Sequence, residues 1–525
     1  MPGTTHPTTD ELLAAAARRL APVTGLLTEL GERFGGAGHE LALVGGPVRD
    51  ALLGRDSVDL DLTTDARPKE TERLLRGWGD ALWDVGRAFG TIGARKDGWQ
   101  VEITTYRKDA YDRTSRKPEV SYGDRLEDDL VRRDFTVNAM ALRLPDLTFV
   151  DPHDGLGDLA RGLLRTPGTP AESFGDDPLR MMRAARFVSQ LGLTLDPAVE
   201  AALRERAGSL EMISAERIRD ELVKLILTPD PRPGLEVLTD TGLADVMLPE
   251  LSGMRLTVDE HNRHKDVYEH SLTVLAQAID LELPSRPLPS AGDESSPSEA
   301  SASETSASET SEQPGSAAPA DGGPVIRPDL VLRLAALLHD IGKPATRRFE
   351  PDGGVSFHHH ELVGARMATK RLKALRFDKD TTKAVSRLIE LHLRFHGYGD
   401  GEWTDSAVRR YVTDAGPLLS RLHLLTRADC TTRNVRKAAR LRRSYDSLEQ
   451  RIERLQEQEE LAAVRPELDG NEIAEVLGIR PGPVLGRAYK HLLAVRLDEG
   501  MIGREEAATR LKEWWATQPE SGPSD

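Results

Sequence analysis

The feature that most constrains the fold is a short stretch near the N-terminus in which charged and apolar residues alternate. The run Val58-Asp59-Leu60-Asp61-Leu62 places two carboxylates two residues apart. On a β-strand successive side chains point to opposite faces, so both carboxylates share one face and the three apolar side chains share the other. Adjacent carboxylates repel each other unless they share a cation. The run therefore predicts a half-buried strand that presents oxygen ligands suited to Mg²⁺ and substrate phosphates.

The size and composition of the chain indicate several soluble domains. A length of 525 residues exceeds what one hydrophobic core supports, so we expect three or four domains. The sequence has no run of about 18 apolar residues and no basic-then-apolar export pattern at its start. Its single cysteine, Cys430, has no internal disulfide partner. These features predict a cytoplasmic protein with no membrane association, and nothing in them implies an obligate protein partner.

Hydrophobic periodicity divides the chain into a mixed N-terminal region and a helical remainder. Residues 10–36 have helical spacing, and the pattern stays helical after Pro170. Strand-like stretches are predicted over residues 40–44, 57–63, 99–106 and 139–144. The fold class predicted is α+β, with a mixed-sheet head followed by all-α segments. Residues 107–123 are predicted to form a mobile loop, and residues 284–323, rich in Ser, Ala, Glu and Pro, a disordered insertion.

Three features near the carboxylate pair favour a metal and phosphate site over a surface-acidic strand. Gly45-Gly46 precedes the strand, where backbone N–H groups without a Cβ can approach a phosphate. Arg49 stands at the head of a predicted helix over residues 48–53 and adds positive charge. Glu102 lies inside another strand-like stretch, where it would be the third carboxylate of a two-metal site. The alternative for Glu102 is the exposed face of an edge strand.

Successive motifs along the first half resemble one enzyme family. GGPVRDALLG and DLDLTTDARP are followed by RRDFTVNAMA, which starts at Arg132, and by DDPLRMMRAARF, which starts at Asp176. Their order and content are similar to those of class II CCA-adding enzymes and bacterial poly(A) polymerases, which are template-independent nucleotidyltransferases. The resemblance implies four parts: a polymerase-β-like nucleotidyltransferase head over residues 1–165, a helical neck for base recognition and RNA binding over 166–250, an HD-type helical domain over 251–430, and a helical tRNA-binding tail over 431–525.

The same resemblance implies roles for individual residues. Asp59 and Asp61 would hold the catalytic Mg²⁺, with Glu102 as the third catalytic carboxylate. Nucleotide contacts are implied for ten residues: Gly45, Gly46, Arg49, Arg132, Arg133, Asp134, Asn138, Asp177, Arg180 and Arg183. A solvated turn is the alternative for the two consecutive arginines.

The choice of base can be argued from chemistry. Asp177 and Arg180 are three residues apart in a helical pattern, so we expect both side chains on one face. Cytosine and adenine share an amino donor beside a ring-nitrogen acceptor, which a carboxylate and a guanidinium can read together. Uracil and guanine would leave both protein groups unpaired. The family has Glu where this chain has Asp176, so the role of Asp176 stays open. The alternative is an acid pair favoured by the helix dipole.

Candidate metal ligands recur in the helical part of the chain: His270, His339, Asp340 and Asp429, with His360 and His392 as further candidates. Imidazole and carboxylate are a common divalent-metal set. The HDIGKP motif resembles the HD phosphohydrolase superfamily, which implies a second divalent metal such as Ni²⁺ or Mn²⁺ and an accessory hydrolase activity. An HD-like body that serves only as a scaffold or RNA-binding surface is the alternative.

A basic stripe is the candidate RNA contact. Residues 433–443 carry six positive charges and no negative one. Four of them share a helical face that can follow an RNA backbone: Arg433, Arg436, Lys437 and Arg440. The net charge of −16 excludes a protein covered everywhere by nucleic acid but allows such local surfaces, because salt screens fields within about 10 Å. A solvated helix is the alternative.

Taken together, the resemblance implies a member that adds C and A residues to the 3′ end of tRNA from CTP and ATP, with Mg²⁺ at the head. A poly(A) polymerase or an A-only adding enzyme has the same head and is the nearest alternative. An HD metal-dependent phosphohydrolase whose head only binds nucleotides is a more distant one.

Overall fold

The computed structural model describes residues 7–56, 59–84, 90–108, 121–255, 266–282, 328–351, 354–395, 403–432, 434–459 and 465–518. The predicted insertion at 284–323, most of the predicted loop at 107–123, and Arg433 lie outside these residues. The chain separates into two compact units, the first ending at Met247 and the second beginning at Leu248. The first unit combines strands with helices and the second is mainly helical, which confirms the α+β class.

The strands are β1 (Leu41–Val44), β2 (Asp59–Thr64), β3 (Ala81–Trp83), β4 (Thr91–Lys96), β5 (Trp99–Thr105), β6 (Arg107–Lys108), β7 (Ser121–Tyr122), β8 (Ala141–Arg143), β9 (Thr148–Val150), β10 (Leu163–Leu164), β11 (Thr194–Leu195), β12 (Arg348–Phe349) and β13 (Val355–Ser356).

The helices of the first unit are α1 (Thr9–Leu20), α2 (Thr24–Gly35), α3 (Gly46–Leu52), α4 (Pro68–Leu75), α5 (Leu126–Val131), α6 (Gly155–Arg161), α7 (Pro170–Asp176), α8 (Leu179–Leu191), α9 (Pro197–Arg206), α10 (Ala215–Ile226), α11 (Arg232–Asp240) and α12 (Leu243–Met247).

The helices of the second unit are α13 (Pro249–Gly253), α14 (Val267–Glu282), α15 (Leu330–Leu338), α16 (Lys343–Thr346), α17 (His360–Ala374), α18 (Lys379–Leu391), α19 (Asp405–Ala415), α20 (Leu419–Ala428), α21 (Val435–Glu459), α22 (Gly470–Leu477), α23 (Pro483–Glu499) and α24 (Arg504–Ala516).

A mixed seven-stranded sheet forms the centre of the first unit. Its strand order is β3-β4-β5-β2-β1-β8-β9, in which β2 and β5 run parallel and the other neighbours antiparallel. Leu60 and Leu62 on β2 and Ile103 on β5 are buried, so one face of the sheet packs on the core. Asp59 and Asp61 point to the other face and are exposed, as the alternation in the sequence predicts.

The predicted helix over residues 10–36 is interrupted. A 3₁₀ turn over Ala21–Val23 separates α1 from α2. Pro22 stands at the start of that turn, and proline has no N–H to donate to the preceding helical turn. The periodicity of the apolar residues passes through this break unchanged, which is why the pattern alone predicts one helix.

Among the residues described for the second unit, the regular structure is helical apart from the short β12–β13 hairpin. Its C-terminal helices α22, α23 and α24 have their own apolar cluster, centred on Ile473, Leu492 and Leu511. None of the helices in the described segments of the chain is both long and apolar enough to cross a lipid bilayer.

Candidate active site

The carboxylates predicted to hold metal occupy neighbouring strands. Asp61 lies directly opposite Glu102 in the parallel pairing of β2 and β5. Directly opposed residues of neighbouring strands share a face of the sheet. Partial loss of solvent, and the negative charges of Glu102 and Asp59, raise the pKa of Asp61, while Arg133 opposes the shift. Three neighbouring carboxylates are a donor set that fits a divalent cation.

A cavity of about 460 Å³ opens beside these carboxylates. Its lining residues are Gly45, Gly46, Arg49, Asp61, Arg133, Asp134, Asn138, Asp177, Leu179, Arg180, Arg183, Arg186, Phe187 and Arg217. The lining is rich in arginine, so the cavity has the charge to accept a polyanion such as a triphosphate.

The turn between β1 and α3 depends on glycine. Gly45 has a φ of 74°, a left-handed conformation that favours glycine. A Cβ at this position would overlap Nη1 of Arg133. The missing side chain therefore lets the guanidinium of Arg133 lie against the turn, where a phosphate would meet both the backbone and a positive charge.

Hydrogen bonds fix the arginines of the cavity. Arg49 donates from Nη1 to Oδ1 of Asn138 at 2.5 Å, and Asn138 donates from Nδ2 to Oδ1 of Asp134 at 2.9 Å. Arg183 donates from Nε to Oδ2 of Asp134 at 2.7 Å. Burial alone would raise the pKa of Asp134, but the charge of Arg183 and the Asn138 hydrogen bond outweigh it and lower the pKa. The buried carboxylate therefore stays ionised and orients both neighbours.

The predicted base-reading pair lines the same cavity by a different local route. Asp177 is not inside a helix; it is extended, with φ −143°, between α7 and α8, and Arg180 is the second residue of α8. The expectation that both lie in one helix is wrong because Pro178 disfavours a helical conformation for the residue before it. The two side chains nevertheless line one cavity.

Both members of the pair are oriented by neighbours. Oδ1 of Asp177 accepts from the Leu179 N–H at 3.1 Å, and Oδ2 accepts from Nη2 of Arg217 at 2.8 Å. Arg180 donates to Oγ of Ser173 at 2.9 Å and to the carbonyl of Arg132 at 2.5 Å. A carboxylate has about four lone-pair positions, so Asp177 retains capacity for a further donor.

The second unit brings all six predicted HD ligands together in two adjacent groups. The ligand atoms within each group lie within 4.8 Å of one another: His270, His339 and Asp429, and then Asp340, His360 and His392. Asp340 connects the groups, because its Oδ2 lies 3.2 Å from Nε2 of His339 and its Oδ1 3.2 Å from Nε2 of His360. In the described residues, these are the two groups of three or more candidate metal ligands whose atoms lie within 4.8 Å of one another. The head carboxylates do not form such a group.

The histidine rings are oriented as metal ligands. Nδ1 of His339, His360 and His392 lies within 2.9 Å of the backbone carbonyl three residues earlier, at Ala336, Phe357 and Ile389 respectively. Nδ1 therefore carries the donated proton, so Nε2 faces the cluster and is the atom that can bind metal when the imidazole is neutral. Nε2 of His392 is buried and has no hydrogen-bond partner among the residues described.

Charge in this cluster is concentrated on a few groups. Burial would lower the pKa of His339, but the adjacent Asp340 and Asp429 outweigh it and raise the pKa to about 10. Burial and the positive charge of His339 lower the pKa of His392 to about 3. The cluster thus combines two carboxylates with imidazoles whose charge depends on their neighbours, a donor set that fits divalent metal.

The basic stripe lies at the start of α21. Arg436, Lys437 and Arg440 are exposed there, whereas Arg433 falls outside the described residues. The three described side chains are at helical neighbour spacing, so they form one positive surface.

Comparison with known proteins relates nearly the whole chain to enzymes that act on tRNA. Family models match the poly(A) polymerase head domain over residues 41–165, a probable RNA- and SrmB-binding site of polymerase A over 192–254, and an HD domain over 315–434. An A-adding tRNA nucleotidyltransferase of Deinococcus radiodurans is 34% identical over 492 residues, which cover 91% of this chain and 96% of that protein. The chain belongs to the CCA-adding enzyme and bacterial poly(A) polymerase family.

Other members of this family match it over different extents. A CCA-adding enzyme of Lactobacillus gasseri is 38% identical over 262 residues, 49% of this chain and 64% of that protein. The crystal structure of the Bacillus stearothermophilus CCA-adding enzyme in complex with CTP has a TM-score of 0.58 at 22% identity and covers 96% of this chain and 99% of that one. The structural likeness supports the fold of this family along the chain.

Against the expectations for this family, the structure brings together most of the predicted nucleotide site and adds residues to it. Arg132, Asp59 and Glu102 are not among the residues that line the cavity, although the Arg132 carbonyl holds Arg180. Arg186 and Phe187 also line the cavity. Both belong to the same sequence motif as Arg180, so the motif could have predicted them. Arg217 lies on α10. It is 40 residues from Asp177 along the chain, so no local sequence pattern predicts their contact.

Proposed function

We propose that this chain is a CCA-adding tRNA nucleotidyltransferase that adds C and A residues to the 3′ end of tRNA from CTP and ATP. The observation that supports it is the convergence, in one cavity, of the glycine turn, the Asp61 carboxylate, a set of arginines and the Asp177/Arg180 pair. A phosphate site beside a base-reading pair has the parts needed to select a nucleoside triphosphate and hold it for transfer.

In this proposal each part of the cavity has a chemical task. Asp59 and Asp61, with Glu102, would hold Mg²⁺, which would stabilise charge on the reacting phosphate and favour the ionised hydroxyl. The turn at Gly45 and Gly46 and the neighbouring arginines bind the triphosphate. The 3′-hydroxyl of the RNA attacks the α-phosphorus, a new P–O bond forms, the bond to pyrophosphate breaks, and the hydroxyl proton leaves to solvent. Positioning and charge stabilisation supply most of the rate.

The choice of C and A rests on the pair in the neck. The carboxylate of Asp177 would accept from the exocyclic amino group and Arg180 would donate to the ring nitrogen, a pattern that cytosine and adenine share. The remaining assigned nucleotide contacts, Arg132, Arg133, Asp134, Asn138 and Arg183, would hold the sugar and phosphates or orient the groups that do.

The test is an incorporation assay with labelled CTP or ATP and tRNA transcripts that lack the last three nucleotides, the last one, or none. We expect C and A incorporation that stops when the sequence is complete. Asp59→Ala should lower incorporation at least about 1,000-fold, because it removes a metal ligand from the transition state. Asp56→Ala is the matched control, since the Asp56 side chain is 81% exposed and, among the residues described, forms an ion pair with Arg19 at the surface; it should behave as wild type.

A-only addition is the second candidate, because the relative that matches along almost the whole chain is an A-adding enzyme. Incorporation of A without C in the same assay would select it, and an A tail of unlimited length would select a poly(A) polymerase. Full activity of Asp59→Ala would refute the carboxylate assignment in either case.

We also propose that the second unit holds a divalent-metal centre, with Ni²⁺ or Mn²⁺ as the ions to test, at the two ligand groups joined by Asp340. The metal would bind and polarise a phosphoester and give accessory phosphohydrolase activity. Metal content after equilibration with Ni²⁺ or Mn²⁺, and hydrolysis of 2′,3′-cyclic nucleotides, should fall in His339→Ala. The exposed His358 is the control, and His358→Ala should keep both. Equal metal content in His339→Ala and wild type would refute the centre.

The proposal extends to RNA binding and location. The head, neck, HD-type domain and tail would occupy residues 1–165, 166–250, 251–430 and 431–525. Arg436, Lys437 and Arg440, together with Arg433, would contact the tRNA backbone, since phosphate contacts need positive charge and little sequence information. A single cysteine and a tRNA substrate both agree with a cytoplasmic enzyme.

A further inference from the structure

An aromatic side chain lies in register with the carboxylates of strands β2 and β5. Asp61 is opposite Glu102, Glu102 is opposite Gly93 on β4, and Gly93 is opposite Trp83 on the edge strand β3. Directly opposed residues point to the same face of a sheet, and neighbouring strands lie about 5 Å apart. Trp83 therefore shares the face of the carboxylates and begins within two strand spacings of Glu102.

The indole of Trp83 lies over β4, the strand between β3 and β5. Gly93 is on the face where Thr91 and Arg95 are partly or fully exposed, yet Gly93 itself is buried. A Cβ at Gly93 would overlap the indole of Trp83, so the ring covers that backbone. The ring thus covers Gly93, which lies directly opposite Glu102 on the neighbouring strand. Trp83 is partly buried and keeps some exposed surface among the described residues.

Strand order decides which reactant meets this ring. Gly45 and Gly46 follow β1, on one side of Asp61, and the cavity for the triphosphate lies there. Strands β5, β4 and β3 extend from the other side of β2. In an in-line displacement the attacking hydroxyl and the leaving pyrophosphate stand on opposite sides of the phosphorus. The nucleotide that carries the hydroxyl must therefore approach over β5 and β4, where the indole lies.

We propose that Trp83 is a stacking platform for the base of the RNA's 3′-terminal nucleotide and so positions its hydroxyl for attack. This inference rests on the proposed function. Stacking suits the task because the terminal base changes at each step of the reaction, from the last nucleotide of the unfinished tRNA to the C residues added after it. Every base has a π-face, so an aromatic ring holds each of them without hydrogen bonds that would favour one.

The test separates RNA binding from nucleotide binding in the full-length enzyme. Trp83→Ala should raise the KM for tRNA about 5- to 150-fold, the range of one lost base–aromatic stack, with the KM for CTP and ATP unchanged. Trp83→Phe should recover most of the loss, because it keeps an aromatic face. Leu82→Ala is the control, since Leu82 is exposed on the opposite face of the same strand; it should behave as wild type.

A spectroscopic readout does not depend on turnover. A tRNA that ends in 2-aminopurine should lose fluorescence on binding the wild type through stacking, and keep it when bound to Trp83→Ala. Gly93→Ala, which would displace the ring, should also keep it. Unchanged quenching in both variants, or a KM change for CTP instead of tRNA, would overturn the proposal; so would equal losses in Trp83→Ala and Trp83→Phe. Quenching by Trp83 in a protein that transfers no nucleotide would instead count against the proposed function alone.

Discussion

At the scale of single residues, the arginines of the cavity differ in what holds them. Arg183 forms an ion pair with the buried Asp134, and its positive charge is largely matched there. Arg180 is held by three neutral oxygen acceptors: the hydroxyl and the carbonyl of Ser173 and the carbonyl of Arg132. A guanidinium oriented by neutral partners keeps its charge for a ligand, which makes Arg180 the better candidate for contact with the base.

Replacing Arg180 should therefore cost far more activity than replacing Arg217. Arg180→Ala should lower kcat/KM for CTP and ATP about 10- to 150-fold, the effect of one lost charged hydrogen bond. Arg217→Ala should lower it less than about 5-fold, because its ion pair with Asp177 is half-exposed. Steady-state kinetics with a tRNA acceptor measure both. A loss in Arg217→Ala as large as that in Arg180→Ala would mean that Arg217 itself contacts the nucleotide.

At the scale of elements, helices α8 and α10 support the cavity through a buried ion pair. Arg186 on α8 donates to Glu221 on α10 at 2.7 Å, and both side chains are less than 10% exposed. The guanidinium of Arg186 also lies 4.2 Å from the ring centre of Phe187. Without Arg186 the buried Glu221 carboxylate would keep the longer, 3.4 Å ion pair to Lys224, whose side chain is 60% exposed, and would lose its buried partner. Breaking a buried pair in this way costs more than the pair itself contributes.

Arg186→Met should accordingly destabilise the α8–α10 pair by about 3–5 kcal/mol. The double variant Arg186→Met/Glu221→Leu should recover part of that loss, since no charge then remains buried. Amide hydrogen exchange of α8 and α10 in the full-length protein reports the change locally, whereas a global unfolding curve would mix two units. No greater exchange in Arg186→Met than in the double variant would contradict the argument.

At the scale of the whole molecule, two sets of candidate metal ligands lie in two separate units. The head carboxylates belong to the unit that ends at Met247, and the histidine cluster belongs to the unit that begins at Leu248. Nucleotide incorporation and metal content should therefore change independently of each other. His339→Ala should keep CTP and ATP incorporation, and Asp59→Ala should keep metal binding at the second unit. Loss of both activities in either variant would show that the two units depend on each other.

Local sequence patterns predicted the features that depend on residues close together in the chain, such as single strands and turns. The Asp-Leu-Asp alternation predicted β2 and its exposed carboxylate face, because a strand alternates its side chains whatever lies beside it. The glycine turn also followed from the chain, since the left-handed φ of Gly45 needs glycine. The break between α7 and α8 was missed, although Pro178 was there to signal it.

Only the tertiary structure decided which distant segments meet. Strand β5 lies between β2 and β4, so Asp61, Glu102, Gly93 and Trp83 line up across four strands in an order that the chain does not follow. Arg217 reaches Asp177 from another helix in the same way. The sequence by itself determined the strand, the turn and the kinds of ligand, because these depend on neighbours along the chain. The partners of each ligand depend on how separate elements pack, and no periodicity of one element records the position of another.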